Sequence, residues 1–359
     1  MTAWITRAAF PAGRGAAGLL SVSPEADVVA PLAGPDRDTA RDLAAETLRA
    51  AGIGPSDRVV VALNDDGEPA GSLVAQAAAD VAQAAASVGP RGRMRLNAAL
   101  EAVGATALVA TPTGAMDFLA RLHLEFLLDP LDLELRHILL VGEIPSPNTA
   151  AQLASEFEAS VRELYADPFL GVPIAQRAPS DAVLTPIRDG LLGLAPPGKD
   201  ALLDAPYEEG LAEIVVTPAW HSTLGGAALR TGHAVRLTGG EPGVPAPAHT
   251  VGEHVLVRGR WLSVPKIASA LARIDGLATW DLRIRREGTL DAAALHVTFT
   301  RDTLVKNPMW RSRIAQALYA LTPVSVDVVV EPEVSEDRRP GTVTDERGHH
   351  LGRDRSQLS

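Results

Sequence analysis

Three short, wholly apolar runs constrain this chain more than anything else in it. Arg58–Leu63 (RVVVAL), Ala107–Thr111 (ALVAT) and His137–Val141 (HILLV) show no alternation of polar and apolar residues. Strands of this kind must bury both faces, which a hairpin with one wet face does not allow. Between and around them the apolar positions recur at helical spacing. Across Asp38–Ala51 these are Ala40, Leu43, Ala44, Leu48 and Ala51, and Gly52 with Gly54-Pro55 stops the run. The same spacing predicts helices over Gly71–Ser87, Asn97–Val103, Gly114–Leu127 and Thr149–Tyr165. Strands alternating with helices predict βαβ units and a doubly wound, mostly parallel α/β sheet.

The texture changes after Asp167. Short strands are expected at Asp189–Leu194, Leu211–Thr217, His233–Leu237 and His254–Val257, with Gly and Pro between them, as in an attached β-rich subdomain. Gly239–Pro247 (GGEPGVPAP) has the composition of a linker. Beyond it, helices at Val264–Arg273 and Trp310–Leu321 alternate with strands at Asp281–Arg286, Leu295–Thr300 and Ser325–Glu331. That order fits a small α+β C-terminal domain. The pattern divides the chain into a larger unit (1–250), a small α+β unit (251–335) and a polar tail (336–359) expected to be mobile.

Composition narrows the function classes. A formal net charge of −11 argues against nucleic acid and against anionic membranes as partners. The chain has no cysteine, so disulfides, thiolate metal sites and thiol nucleophiles are out. No run is long and apolar enough to span a bilayer. Residues 1–18 lack the continuous apolar core of a signal peptide, so the expected compartment is the cytoplasm. Only three lysines exist, Lys199, Lys266 and Lys306, which leaves few candidates for chemistry that needs an ammonium group.

A series of landmarks appears in order between Ala40 and Arg347. Ala110-Thr111-Pro112-Thr113 is a strand end, followed by the turn Val141-Gly142-Glu143-Ile144-Pro145. Tyr165-Ala166-Asp167 and Glu208-Glu209-Gly210-Leu211-Ala212-Glu213 come next. Then follow Arg230-Thr231-Gly232-His233-Ala234-Val235-Arg236-Leu237, Val255-Leu256-Val257-Arg258-Gly259, and Pro265 with Ile267. In this order they resemble the phenylacetate-CoA ligase branch of the adenylate-forming (acyl-CoA synthetase) superfamily. The resemblance implies that Gly142, Glu143 and Pro145 line the acid substrate's pocket. It also implies that Tyr165, Asp167, His233 and Arg236 occupy nucleotide-binding positions.

The departures from that family are equally consistent. The family's phosphate-binding stretch is rich in small residues and carries a Lys, because backbone N–H groups and positive charge hold the phosphates. Ser21–Asp38 stands there instead, with one Gly, no Lys and four acidic residues. Phe169 occupies the place of a magnesium-binding Glu, with Asp167 two positions early. His233 replaces the Asp that holds the ribose hydroxyls, and an imidazole cannot clamp two hydroxyls as a carboxylate can. The catalytic lysine near the C-terminus has no counterpart; Arg339 and Lys266 are the remaining candidates. Losing one charge-stabilising donor costs about 10²–10³ in rate, and losses acting on one transition state need not add.

Two readings follow. In the first, the chain is a diverged relative deficient in adenylation, acting as a binding or partner subunit for an acyl or aryl ligand, alone or as a homo-oligomer. No cofactor is then implied. In the second it is an active acyl-CoA ligase using ATP, magnesium and CoA through Arg339 or Lys266 and Asp167. A purely structural or interaction protein on the same scaffold is a third possibility. Three further clusters are ambiguous: His221-Ser222 beside Trp220, the pair His349-His350, and the acidic turn Asn64-Asp65-Asp66-Gly67-Glu68. Each has a plain alternative as a strand-end loop, a solvated tail or an ordinary turn.

Overall fold

The computed structural model describes residues 2–11, 13–14, 16, 18–65, 70–90, 92–146 and 148–358. Its largest sheet has seven strands, in the order Thr185–Pro186, Pro173–Arg177, Ser160–Ala166, His137–Val141, Ala107–Ala110, Arg58–Ala62 and Ala84–Ser87. From Ser160–Ala166 to Ala84–Ser87 the strands run parallel, and the two at the other edge are antiparallel. The apolar runs explain the layering. Val59, Val61, Val109 and Leu139 meet Ala44, Leu48, Val74 and Ala77 from the helices Gly34–Ala50 and Gly71–Ala79. Val60, Leu108, Ile138 and Leu140 meet Leu100, Phe118 and Leu153 from Arg93–Val103, Pro112–Arg121 and Thr149–Phe157 on the opposite face. Both faces of the sheet are therefore dry, as the unbroken apolar strands require.

Two helices are shorter than the spacing predicts. The run Gly71–Ser87 leaves the helix at Ala79, and Ala84–Ser87 becomes the edge strand beside Arg58–Val61. The run Thr149–Tyr165 stops at Phe157, where Glu158 turns to φ 49°, and Ser160–Ala166 pairs with His137–Val141. Helix propensity, even that of alanine, yields to tertiary context, and pairing with an existing sheet edge decided the state of both stretches.

A second sheet joins Leu192–Ala195, Gly210–Val216 and Ala227–Leu237, with His249–Thr250 on the last of these. The N-terminal strand Ala3–Thr6 runs parallel to Ala227–Leu237 and completes it. The small lobe is a sheet ordered Val326–Val334, Leu290–Phe299, Leu277–Glu287, Thr342–Asp345. Helices Val264–Leu271 and Pro308–Leu321 cover it, enclosing Leu282, Leu295, Phe299, Ile314 and Leu318.

The polar tail differs from its expectation. Thr342–Asp345 adds a strand parallel to Leu277–Glu287, and Arg347 is buried between Asp291 and Asp345. Residues 346–358 then return to the large lobe. Polar composition signals a solvated segment only where its charges find no partners. No helix among the described residues is long and apolar enough to cross a membrane.

Candidate functional site

The carboxyl ends of the parallel strands converge where Asn64, Thr111, Gly142 and Asp167 leave the sheet, the place where open α/β sheets take ligands. Thr111 caps the helix Pro112–Arg121, its Oγ1 accepting the Gly114 N–H at 3.1 Å. Glu143 crosses to the same helix end, where its carboxylate accepts the Thr113 N–H at 2.8 Å and the Thr113 hydroxyl at 2.7 Å. The positive helix terminus supports that charge, yet burial dominates and pushes the Glu143 pKa up. Gly142, Glu143, Pro145, Tyr165 and His233 line a cavity of about 40 Å³. That holds a water or two and no aromatic ring. On the other side of Glu143 lies a cleft of about 290 Å³ between the lobes.

Asn64, Thr111 and Thr113 form the large-lobe wall of this cleft, and Arg258 and Arg260 the small-lobe wall, with Arg93 at its edge. Arg93 is fixed by Asp117 at 2.6 Å and by the Pro90 carbonyl at 2.6 Å. Arg258 donates through Nε to the Asp291 carbonyl. A guanidinium has five donors in a planar fork, so three of them around one cleft suit a carboxylate or phosphate-type anion.

The nucleotide positions have a different character. His233 is buried in the strand Ala227–Leu237, with Nδ1 3.2 Å from the Tyr165 hydroxyl and its ring 5.2 Å from that of Trp261. Burial, reinforced by the charge of Arg7, pushes its pKa down to about 3, so the ring is neutral at ordinary pH. Burial likewise raises the pKa of Tyr165. Gly232 has φ 80°, and a Cβ there would stand 3.3 Å from the Trp261 ring. Arg7 completes the packing. Its guanidinium donates to the Glu25 carboxylate and the Pro168 carbonyl, and lies 5.3 Å from the Phe169 ring centre and 5.2 Å from that of Trp261. The side chains of Arg7 and Glu25 are 4% and 1% exposed. Only about 10 Å³ remains between Thr6, Arg7, Gly232, His254 and Trp261.

Ser21–Asp38 forms a hairpin, Leu19–Val22 against Val29–Leu32, with the Val28 N–H donating to Ser23 Oγ at 3.1 Å. Its acids are ties. Glu25 holds Arg7, and Asp36 accepts both N–H and O–H of Ser222 at 2.9 and 2.6 Å. Asp27 meets His254 at 2.7 Å and Lys266 at 2.6 Å across the lobes. Burial would raise the Asp27 pKa, but these two partners outweigh it and hold it at about 2.

The other sequence candidates lie as follows. Lys266 gives its ammonium to Asp27 and the Glu25 carbonyl, which leaves it a tie between lobes. Arg339 is 73% exposed and paired with Asp337 at 3.1 Å, and Arg236 is exposed on its strand. Neither lines the cleft or the nucleotide positions. His221 Nδ1 accepts the N–H groups of Thr223 and Leu224, and so shapes a loop. His349 and His350 border the lobe crossing, and no group of three or more His, Asp or Glu among the described residues is placed to hold a metal. Of the acidic turn, Asp66, Gly67 and Glu68 lie outside the described residues. Arg7, Glu25, Asp27 and Trp261 carried no local signal that would have selected them.

Asp167 is a perturbed acid as well. Its Oδ1 accepts the Phe169 N–H at 2.8 Å, Oδ2 has no hydrogen-bond partner among the described residues, and burial pushes its pKa up to about 6. A lone buried carboxylate does not make a magnesium site, which needs several oxygen ligands. The folded state keeps this proton longer than the unfolded chain, so stability falls as pH rises from about 4 to about 6. Asp167→Asn removes that loss. Its stability relative to the parent should rise through this window and level off at roughly 2–3 kcal/mol near neutrality. Urea melts at pH 4, 5, 6 and 7 check this, and parallel pH profiles would refute it.

No family model matches the chain, and no curated protein sequence matches it. Solved structures do. A 2-hydroxyisobutyryl-CoA ligase in complex with 2-HIB-AMP and CoA in the thioesterification state is 17% identical, covers 89% of this chain and 71% of its own, and superposes with a TM-score of 0.70. The same ligase in the postadenylation state, again over 89% of this chain and 72% of its own, is 17% identical and reaches 0.52. The amide bond synthetase McbA from Marinactinospora thermotolerans is 14% identical, covers 88% of this chain and 65% of its own, and has a TM-score of 0.66. This chain carries the fold of the adenylate-forming acyl-CoA ligases.

Proposed function

We propose that the chain is a diverged, adenylation-deficient protein of the phenylacetate-CoA ligase type, which binds a small carboxylated acyl or aromatic ligand in the cleft beside Glu143. Residues 1–250 act as the ligand-binding lobe and 251–335 as the small lobe, in the cytoplasm. One observation supports this reading: around His233, a position the resemblance assigns to the nucleotide, the Arg7–Glu25 pair, Phe169 and Trp261 are closely packed. Arg93, Arg258 and Arg260 supply the positive charge that a carboxylate needs, and Thr111 and Thr113 supply hydroxyls beside it.

Thermal unfolding with 1 mM ATP–magnesium or AMP tests the point. A ligand present at about a hundred times its Kd adds about 2.7 kcal/mol and raises the midpoint by several degrees. The expected shift with either nucleotide is under about one degree on that scale, and no pyrophosphate should be released across a panel of aliphatic and aromatic acids. A shift of several degrees together with acid-dependent pyrophosphate release would overturn the reading.

A second reading, an active ligase using ATP, magnesium and CoA, is supported by the fold shared with such ligases, with a TM-score of 0.70 against the one in the thioesterification state. It must find its phosphate charge and its magnesium ligands elsewhere than in Lys266, Arg339 or Asp167 alone.

A further inference from the structure

The chain crosses from the large lobe to the small one between His249–Thr250 and His254–Val257. On one side His249 and Thr250 pair with Ala234 and His233. On the other side the returning C-terminal segment forms a ladder. The Thr250 N–H donates to the His349 carbonyl at 2.7 Å, the Leu351 N–H to the Thr250 carbonyl at 2.9 Å, and the Gly252 N–H to the Gly352 carbonyl at 2.9 Å.

Both ends of this segment are anchored, each on a different lobe. At its start Arg347 is held by Asp345 at 2.8 Å, by Asp291 at 2.5 Å and by the Leu256 carbonyl at 2.8 Å, all in the small lobe. At its end the Arg355 fork takes both oxygens of Glu213 at 2.9 and 3.0 Å. Glu213 is wholly buried in the large-lobe strand Gly210–Val216, where it also accepts Arg230 and the Gly232 N–H at 2.9 Å each. Between the anchors Arg353 pairs with Glu253, in the crossing itself, at 2.7 Å. Gly252 has φ 94°, a conformation that strains any L side chain, and a Cβ there would lie 2.4 Å from the Arg355 guanidinium and displace it.

We propose that residues 346–358 are a strap that splints the crossing and holds the small lobe in one orientation against the large lobe. Rotation about residues 251–253 would break the ladder and pull Arg355 from a buried carboxylate in the same movement. Bidentate, charge-assisted contacts to a buried group resist such a step far more than exposed ion pairs do. The proposal stands whatever ligand the cleft takes, so its test does not depend on nucleotide binding.

The absence of cysteine allows clean labelling. Leu124 and Tyr319 are 81% and 83% exposed, one on each lobe. Spin labels at Leu124→Cys and Tyr319→Cys report the interlobe distance by pulsed dipolar spectroscopy in the full-length chain. One narrow distance population is expected. Adding Arg353→Ala and Arg355→Ala should at least double its width or produce a second population, with circular dichroism unchanged. If that double variant does not fold, Arg353→Ala alone, which removes a partly exposed pair, should broaden the distribution to a smaller degree. A broad distribution in the unaltered strap, or folded strap variants as narrow as the parent, overturns the proposal.

Discussion

Arg7→Ala should lower the unfolding free energy by about 3–5 kcal/mol, the range for removing one partner of a buried ion pair. The loss has three sources. The Glu25 carboxylate, at 1% side-chain exposure, loses the guanidinium that holds it, the Pro168 carbonyl loses a donor, and the Phe169 and Trp261 faces lose the guanidinium between them. Urea titration followed by tryptophan fluorescence measures this, because Trp261 lies in the affected packing. The paired replacement Arg7→Met with Glu25→Leu should recover most of the loss, since apolar groups of similar volume replace buried pairs at little or no net cost. A single-variant loss below about 1 kcal/mol would mean that the pair is not buried in solution.

Glu213→Ala should cost about 3–5 kcal/mol as well, for a different arrangement of charges. This carboxylate has no exposure and gathers Arg230, Arg355 and the Gly232 N–H. Its removal leaves the Arg230 side chain, 4% exposed, dependent on Asp200 and on the Pro196 and Lys199 carbonyls. It also orphans the Gly232 N–H next to His233. Arg355→Ala should cost much less, because Glu213 retains Arg230. A global loss for Glu213→Ala no greater than that for Arg355→Ala would show that the carboxylate is not the hub. Equilibrium denaturation of the two variants side by side makes the comparison.

Legibility in the sequence followed how far each signal travels along the chain. The strands at Arg58, Ala107 and His137 were readable because burial on both faces leaves a continuous apolar run. Helix ends were less so. The stretch 71–87 is helical in pattern throughout, but Ala84–Ser87 had a free strand edge to pair with. Glu143 was selected from the turn after His137–Val141, and its carboxylate lies between the small cavity and the interlobe cleft. Lys266 and Arg339 are the cations the resemblance leaves in place of a catalytic lysine, and charge does not say where a side chain will be held. Asp27 already occupies the ammonium of Lys266.

The sequence by itself determined the layered α/β sheet and the run of lobes that follows it. These are properties of local periodicity and composition, which each segment expresses without reference to the others. Only the tertiary structure decided what packs around His233 and what spans the lobes. Arg7 meets Glu25 and Trp261, and Arg355 meets Glu213, from segments far apart in the chain. A buried charge is stable only beside its partner, and no local pattern records which distant residue that partner will be.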